Sequence, residues 1–392
     1  MSTLQAETQH RPLAEVRKSL RIGWYRCPIE PATLRRLMQR SDLQGWLQAG
    51  GHLLLFLATG TLTYLLFANG LWLGFALALF AHGTVGAFFK GLATHELGHG
   101  TVFRSKWLNR AFLRLFGVIA WHNHHIYAVS HTYHHRYTLY PDGDRELVLP
   151  QNPMLKLIDL FQLFVFLVWR GHSGLIPVVV HTVKIATGNF NTSSTFGTQD
   201  DTWVADIFAD LPKERRKAIN WARLTLLFHV CVIAVAIAMQ WWLLPVLVTL
   251  TGFLGKGWSL IVGLPMHCGL RDNVPDFRKC VRSITLDPIS TFLYWRMNWH
   301  TEHHMYAGVP CYNLKKLYRE IAADMPRPRT LAGAWREMRD TWRRQQQDPG
   351  YQFDTPVPQR TAAAPATDNG SDELTDSIGD LAPETLATAE RT

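Results

Sequence analysis

The sequence is poor in cysteine, and what it has shows no pairing. Its five cysteines, Cys27, Cys231, Cys268, Cys280 and Cys311, form no C-x-x-C and are odd in number. That argues against a disulfide framework, a structural zinc site or an iron–sulfur site, and fits a reducing compartment. Charge is also scarce, at 18% of 392 residues, and long stretches have none. Residues 43–89 are 47 positions without Asp, Glu, Lys or Arg, and residues 224–270 are another 47 broken only by Lys256. Core helices of soluble proteins rarely keep such runs, so an ordinary soluble protein is excluded. The first 42 residues hold eight Lys and Arg and no apolar run of the kind that opens a secretory signal, and they read as a cytosolic arm. Basic–aromatic clusters are missing too, so no nucleic-acid partner is expected. The net charge of +9 is assigned to topology and to anionic lipid headgroups.

Each uncharged run is long enough for two spans of about 20 residues, the length that ~30 Å of hydrocarbon demands. Turns at Asn69-Gly70 and around Trp241, Trp242 and Pro245 divide them, because Gly, Asn and Pro punctuate helices and Trp favours the headgroup level. Spans are therefore predicted over 46–68, 71–92, 224–242 and 245–266. Lys and Arg occupy the N-terminal arm, the segment 90–223, the C-terminal part and Lys256, and avoid both hairpin tips. The positive-inside rule then places both termini and the central segment in the cytoplasm, a bacterial inner membrane being the expected location. The expected fold is an all-α membrane protein with four transmembrane helices in two hairpins and a helical cytoplasmic cap. Its organisation reads as an arm over 1–42, a catalytic domain over 43–347 and a disordered Ala/Thr/Pro/Asp-rich tail over 348–392. The apolar stretches 155–169 and 175–183 are short and flanked by charge, and suit interfacial, re-entrant or cap helices.

Histidine is abundant, with 18 residues, and it is ordered. His95-Glu-Leu-Gly-His99 follows the second span, His131-Thr-Tyr-His134-His135 lies in the central segment, and His300-Thr-Glu-His303-His304 follows the fourth. On a helix, residues i, i+3 and i+4 share a face, so each box presents imidazoles to one place. Adjacent histidines diverge by about 100° at 3.6 residues per turn, so one box can feed two neighbouring ions. Eight imidazoles are too many for one ion and suit two. Imidazole-rich sites take iron, zinc or copper, and an imidazole-dominated binuclear site beside a membrane is best explained by iron handling oxygen. His95 falls roughly 9 Å beyond Phe89 at 1.5 Å per residue, just outside the bilayer on the side that charge calls cytoplasmic.

With these boxes, the sequence resembles the membrane fatty acid desaturases and hydroxylases over roughly residues 40–325. Ser130-His-Thr-Tyr-His-His-Arg-Tyr-Thr138, Pro141-Asp-Gly-Asp144, Asn298-Trp-His-Thr-Glu-His-His304, Val309-Pro310 and Tyr312-Asn-Leu314 carry the resemblance. It implies a diiron centre that activates O2 and removes hydrogen from unactivated methylenes of a lipid acyl chain. It also implies a further ligand before the third box, for which His267 is the candidate. Acyl-CoA desaturases have a longer first box and an Asn ligand where this chain has Gly263, which points away from that branch. Front-end desaturases replace the residue at His300 by Gln and often carry a fused cytochrome domain, which is not seen here. Electrons are therefore expected from a separate ferredoxin-like or cytochrome partner.

The leading expectation is an O2-dependent acyl-lipid desaturase with two irons. A lipid or carotenoid hydroxylase uses the same boxes. His95-Glu96-Leu-Gly-His99 also satisfies H-E-x-x-H, the helix of zinc proteases in which the Glu is general base, so an intramembrane zinc protease competes. A non-enzymatic metal carrier would need no ordered boxes. Glu96, Glu302, Asp142, Asp144 and Asn298 are candidates to orient imidazoles from behind. His122, His124 and His125 either line the site or form a hydrogen-bonded cluster. His52, His82, His172, His181 and His229 read as structural.

Overall fold

The computed structural model describes residues 11–146, 166, 174–192 and 202–358. Helices dominate, and the elements used below are α1 (Pro31–Leu37), α2 (Gly51–Ala68), α3 (Trp72–Ala87), α4 (Thr94–Gly98), α5 (Lys106–Ile119), α6 (His124–Tyr137), α7 (Leu175–Ala186), α8 (Pro212–Met239), α9 (Gly257–Gly263), α10 (His300–Met305), α11 (Leu314–Ile321) and α12 (Leu331–Gln345). The described strands are one short parallel pair, Ile284–Thr285 with Arg329–Thr330.

Among the described residues, three helical stretches are long and apolar enough to cross a membrane: Asp42–Ala68, Trp72–Gly98 and Pro212–Met239. Their surfaces carry Leu54, Leu73, Leu227 and Val230 at 59–77% exposure, a density of bare apolar side chains that only lipid can cover. Trp72, Trp241 and Trp242 stand exposed at the hairpin tips, where indoles favour the headgroup level.

The fourth predicted span, 245–266, is not one helix. It is broken into Leu243–Val248, Thr251–Leu254, α9 and a 3-10 turn at Leu264–Met266. Glycine explains part of the break: a Cβ on Gly255 would lie 2.3 Å from the backbone N of Thr84, so the broken segment lies directly on α3. Pro245 and Pro265 remove two further helical donors.

Histidines tie these helices together. His52 accepts from Trp295 Nε1 at 2.9 Å through Nδ1, so its Nε2–H donates to Val85 O at 3.1 Å. His82 reaches Leu247 O at 2.8 Å and Thr59 Oγ1 at 3.0 Å. His229 bonds Val118 O at 3.0 Å and Thr249 Oγ1 at 3.1 Å while stacking on Trp121. His181 meets Thr192 Oγ1 at 3.3 Å. Each is a satisfied polar link between segments, as expected from sequence; His172 lies outside the described residues.

Two other boundaries need adjustment. The 175–183 stretch lies in helix α7, with Val178, His181, Thr182 and Ile185 buried, while 155–169 lies outside the described residues except for Phe166. Residues 348–358, assigned to the tail by composition, pack back on the body. Phe353 N donates to Gly269 O at 2.8 Å, Lys279 Nζ reaches Asp354 at 2.8 Å, and Thr355 is buried. The rest of the tail, 359–392, is outside the described residues.

Candidate metal centre

Leaving α3, the chain changes direction before it delivers its first box. It does so at Lys90-Gly91, where Lys90 is extended and Gly91 has φ +77°, a left-handed conformation that costs L-residues about 1–2 kcal/mol. Gly91 N–H then donates to Thr94 Oγ1 at 3.1 Å, which helps start α4 with His95 near its head. Asn123 opens α6 by accepting from Ile126 N, and α6 carries the second box. The third box is α10 itself.

The nine imidazoles singled out from sequence meet in two buried groups. His95, His99, His131, His135 and His303 form one, and His134, His267, His300 and His304 form the other, the ligand atoms within each group lying within 4.8 Å of one another. That is near the diameter of a single ion's shell of nitrogen ligands, about 4.2 Å for metal–nitrogen bonds of ~2.1 Å. Adjacent histidines separate as the helical angle requires: His134 and His135 fall in different groups, and so do His303 and His304. The pairs four residues apart, His131/His135 and His300/His304, stay together.

The outer nitrogens show which way the inner lone pairs face. His131 Nδ1 lies 3.0 Å from Glu146 Oε1, His134 Nδ1 lies 2.9 Å from Asp144 Oδ2, and His95 Nδ1 lies 2.9 Å from Glu96 Oε1. His267 Nδ1 is 3.0 Å from the Cys280 carbonyl. Carboxylate and carbonyl oxygens only accept, so each of these Nδ1 atoms carries the hydrogen and each Nε2 presents a bare lone pair. The Nε2 atoms crowd together: those of His131 and His135 are 2.9 Å apart, those of His267 and His300 2.9 Å, and those of His300 and His304 3.1 Å. His95 Nε2 and both nitrogens of His99 are buried without any hydrogen-bond partner. Clustered lone pairs in a dry interior are costly unless a cation sits among them. The donor set therefore fits two metal ions.

Electrostatics agrees. Burial, reinforced by the neighbouring imidazoles, holds His131, His135, His300, His303 and His304 well below the ordinary histidine pKa, in the neutral form that binds metal. At His134 burial opposes the charged form, but the adjoining Asp144 carboxylate outweighs it and raises the pKa. Burial pushes Glu146 and Glu302 each up to about 7.

Several expected partners stand elsewhere. Asp142 is at the surface, paired with Arg11 at 2.8 Å, and reaches no imidazole. Glu302 takes a hydrogen bond from Ser283 Oγ at 2.5 Å rather than from a histidine. Asn298 donates to Ile284 O at 2.8 Å, with its oxygen buried and unpaired. His122, His124 and His125 belong to neither group; His124 and His125 lie against each other and against Trp221. Two partners escaped the sequence reading. Glu146 sits 15 positions after His131, beyond any helical spacing, and only the alternating acids Asp142, Asp144 and Glu146 hinted at it. The Cys280 carbonyl has no side-chain signature at all.

His95 and His99 share their group with three histidines of the other boxes, so among the described residues H-E-x-x-H forms no site apart from theirs. Glu96 faces His95 Nδ1, and also lies 3.7 Å from His303 Nδ1.

Comparison with known proteins agrees with this geometry. The chain is 25% identical over 294 residues to the sn-1 oleoyl-lipid 12-desaturase of Picosynechococcus sp., covering 70% of this chain and 77% of that protein. A sequence model of fatty acid desaturases matches residues 70–332, which takes in all three histidine boxes. Covering well over half of the chain, that match identifies it as a member of the fatty acid desaturase family, membrane-bound, metal-binding oxidoreductases of fatty acid metabolism.

Proposed function

We propose that this protein is an O2-dependent acyl-lipid desaturase that works with two iron ions and places a double bond in a membrane acyl chain. One observation carries the reading: nine buried imidazoles gather in two adjoining groups, and four of them, His95, His131, His134 and His267, are aligned from behind by carboxylate or carbonyl oxygens. His95, His99, His131, His135 and His303 would hold one ion, and His134, His267, His300 and His304 the other. Bound there, iron would supply O2 activation and hydrogen removal from a methylene. The protein's own share is positional. Glu146, Asp144, Glu96 and the Cys280 carbonyl fix the tautomers, and the buried box helices keep bulk water from the reacting carbon. Reduction of O2 to two waters takes two electrons from the C–H bonds and two from a separate donor protein. The charge pattern supports both termini and the site lying on the cytoplasmic side.

Acyl-lipid desaturation is preferred over hydroxylation because the relative named above is an acyl-lipid desaturase. The test is iron content and lipid profiling of the purified enzyme beside His131→Ala and His303→Ala. Two irons per chain and a product lighter by two hydrogens are expected, both lost in the variants while membrane insertion persists. A product heavier by one oxygen would make it a hydroxylase. Single zinc binding that survives loss of His131 would overturn the diiron reading altogether.

A further inference from the structure

Two basic faces flank the site, and they differ in one respect. On α5, Lys106, Arg110 and Arg114 stand beside exposed Trp107 (63%) and Leu115 (37%). Ser105, just before α5, donates to Asp42 at 2.7 Å, which pins that helix to the first turns of a span. Charge mixed with bare apolar side chains at that height suits lipid headgroups. The second face is built by α1 and α11, joined where Asn313 Nδ2 donates to Leu37 O at 2.8 Å. Arg35, Arg36, Lys315, Lys316 and Arg319 are exposed there, with Arg40 partly so. The acids among them are Glu30, which caps α1, and Glu320, 4.0 Å from Arg36. Among the described residues, no large apolar side chain is exposed on α1 or α11. A face of this kind is made for water and for a water-soluble acidic partner.

Directly behind it runs a path to the metal groups. Tyr318, half-buried on α11 between Leu317 and Arg319, lies against the indole of Trp299 with ring centroids 4.9 Å apart. Trp299 is buried, and the next residue in the chain is His300, whose Nε2 faces His267 and His304. This one ring pair separates the basic surface from a candidate ligand.

We infer that the α1–α11 face docks a small, acidic, soluble one-electron carrier, an iron–sulfur or haem protein, and that electrons enter the metal centre by way of Tyr318, Trp299 and His300. The inference rests on the desaturase reading for its need of two electrons, one from each of two successive carriers, the carrier being oxidised and the metal centre reduced. Lysine and arginine steer the carrier; the aromatic pair shortens the gap its electron must cross.

The experiment uses the iron-loaded full-length enzyme in phosphatidylcholine nanodiscs. The probes are a plant-type [2Fe–2S] ferredoxin and the soluble haem domain of cytochrome b5, both acidic. Binding is measured at low and high salt, and product formation is driven by carrier or by dithionite. At least one probe is expected to bind the wild type with salt-sensitive affinity. The Lys315→Glu/Arg319→Glu double variant should lose about tenfold or more in affinity, with dithionite-driven turnover unchanged. Tyr318→Leu should keep affinity and lose carrier-driven rate. Arg110→Glu/Arg114→Glu on α5 should leave carrier affinity intact. Equal binding by wild type and the α11 variant, or no binding of either probe to the wild type, would overturn the inference. So would an α11 defect that appears only in discs containing anionic lipid, which would assign that face to the membrane. Absence of product with dithionite in the wild type would instead count against the desaturase reading, and the binding data would still judge the docking face.

Discussion

Glu146 offers the sharpest check on how the imidazoles are held. Its Oε1 lies 3.0 Å from His131 Nδ1, its Oε2 accepts from Ser130 Oγ at 2.8 Å, and Ser130 in turn accepts from Trp203 Nε1 at 3.0 Å. Glu146→Gln keeps the shape and one acceptor oxygen but removes the charge that strengthens His131 as a donor to metal. Loss of such an outer partner weakens metal binding by about 10–100-fold, or roughly 1.4–2.8 kcal/mol. Glu146→Ala goes further and strands the His131 N–H and the Ser130 hydroxyl in a dry interior, at about 1–3 kcal/mol each. The metal-free Ala variant should therefore melt well below wild type, while the metal-free Gln variant stays close to it. Metal affinity by competition with a chelator and thermal unfolding in detergent separate the two effects. Glu302→Gln is the control, because that carboxylate meets Ser283 and no imidazole. If Glu146→Gln bound metal as tightly as wild type, or lost no more than Glu302→Gln, the idea that back-side carboxylates tune this centre would be wrong.

Other outcomes follow from features of the same structure. Gly91→Ala places a Cβ at φ +77°, and it should cost about 1–2 kcal/mol and lower metal occupancy more than stability alone explains, read by elemental analysis at matched folded fraction. Arg282 is fully buried, 2.6 Å from Glu337, and donates to the Pro265 and Cys268 carbonyls beside His267; Arg282→Met should lower thermal stability by about 1–3 kcal/mol, because those two carbonyls lose their donor while Glu337 keeps Arg329 at 3.1 Å. The metal-free protein should lose melting temperature as pH falls from about 7 to about 5, since most box histidines have folded pKa values pushed below the ordinary ~6.5 and unfolding then takes up protons. The raised His134 and the raised carboxyls of Glu146 and Glu302 work the other way, since the folded state then takes up their protons, but they are outnumbered, so a flat profile would refute the neutral, buried assignment.

The histidines were legible because helical geometry is a local rule: three, four and one residue apart already fix who shares a face. His267 needed the family resemblance, since nothing within four residues of it marks a metal site. Asp142 misled because it lies two residues from Asp144 in sequence, and the turn after Tyr140 sends one carboxylate inward to His134 and the other out to Arg11. Glu146 was missed for the converse reason, its role being set by where that turn lands rather than by spacing. The fourth span read as continuous because hydropathy measures composition and is blind to contacts such as Gly255 against Thr84, which only tertiary packing imposes. Residues 348–358 read as tail because their composition says nothing of the Gly269 carbonyl that accepts from Phe353 N.

The division of each H-x-x-H-H box between the two groups has a mechanical result. Helices α6 and α10 act as cross-braces, each clamped at both ends of the centre, so neither group can be adjusted alone. Inserting or deleting one residue within either helix would swing its imidazoles by about 100° and dismantle both halves at once. Filling either half stiffens the braces for the other. If it holds the two ions proposed above, the centre should load them as a pair, with a half-filled enzyme a scarce species in any metal titration.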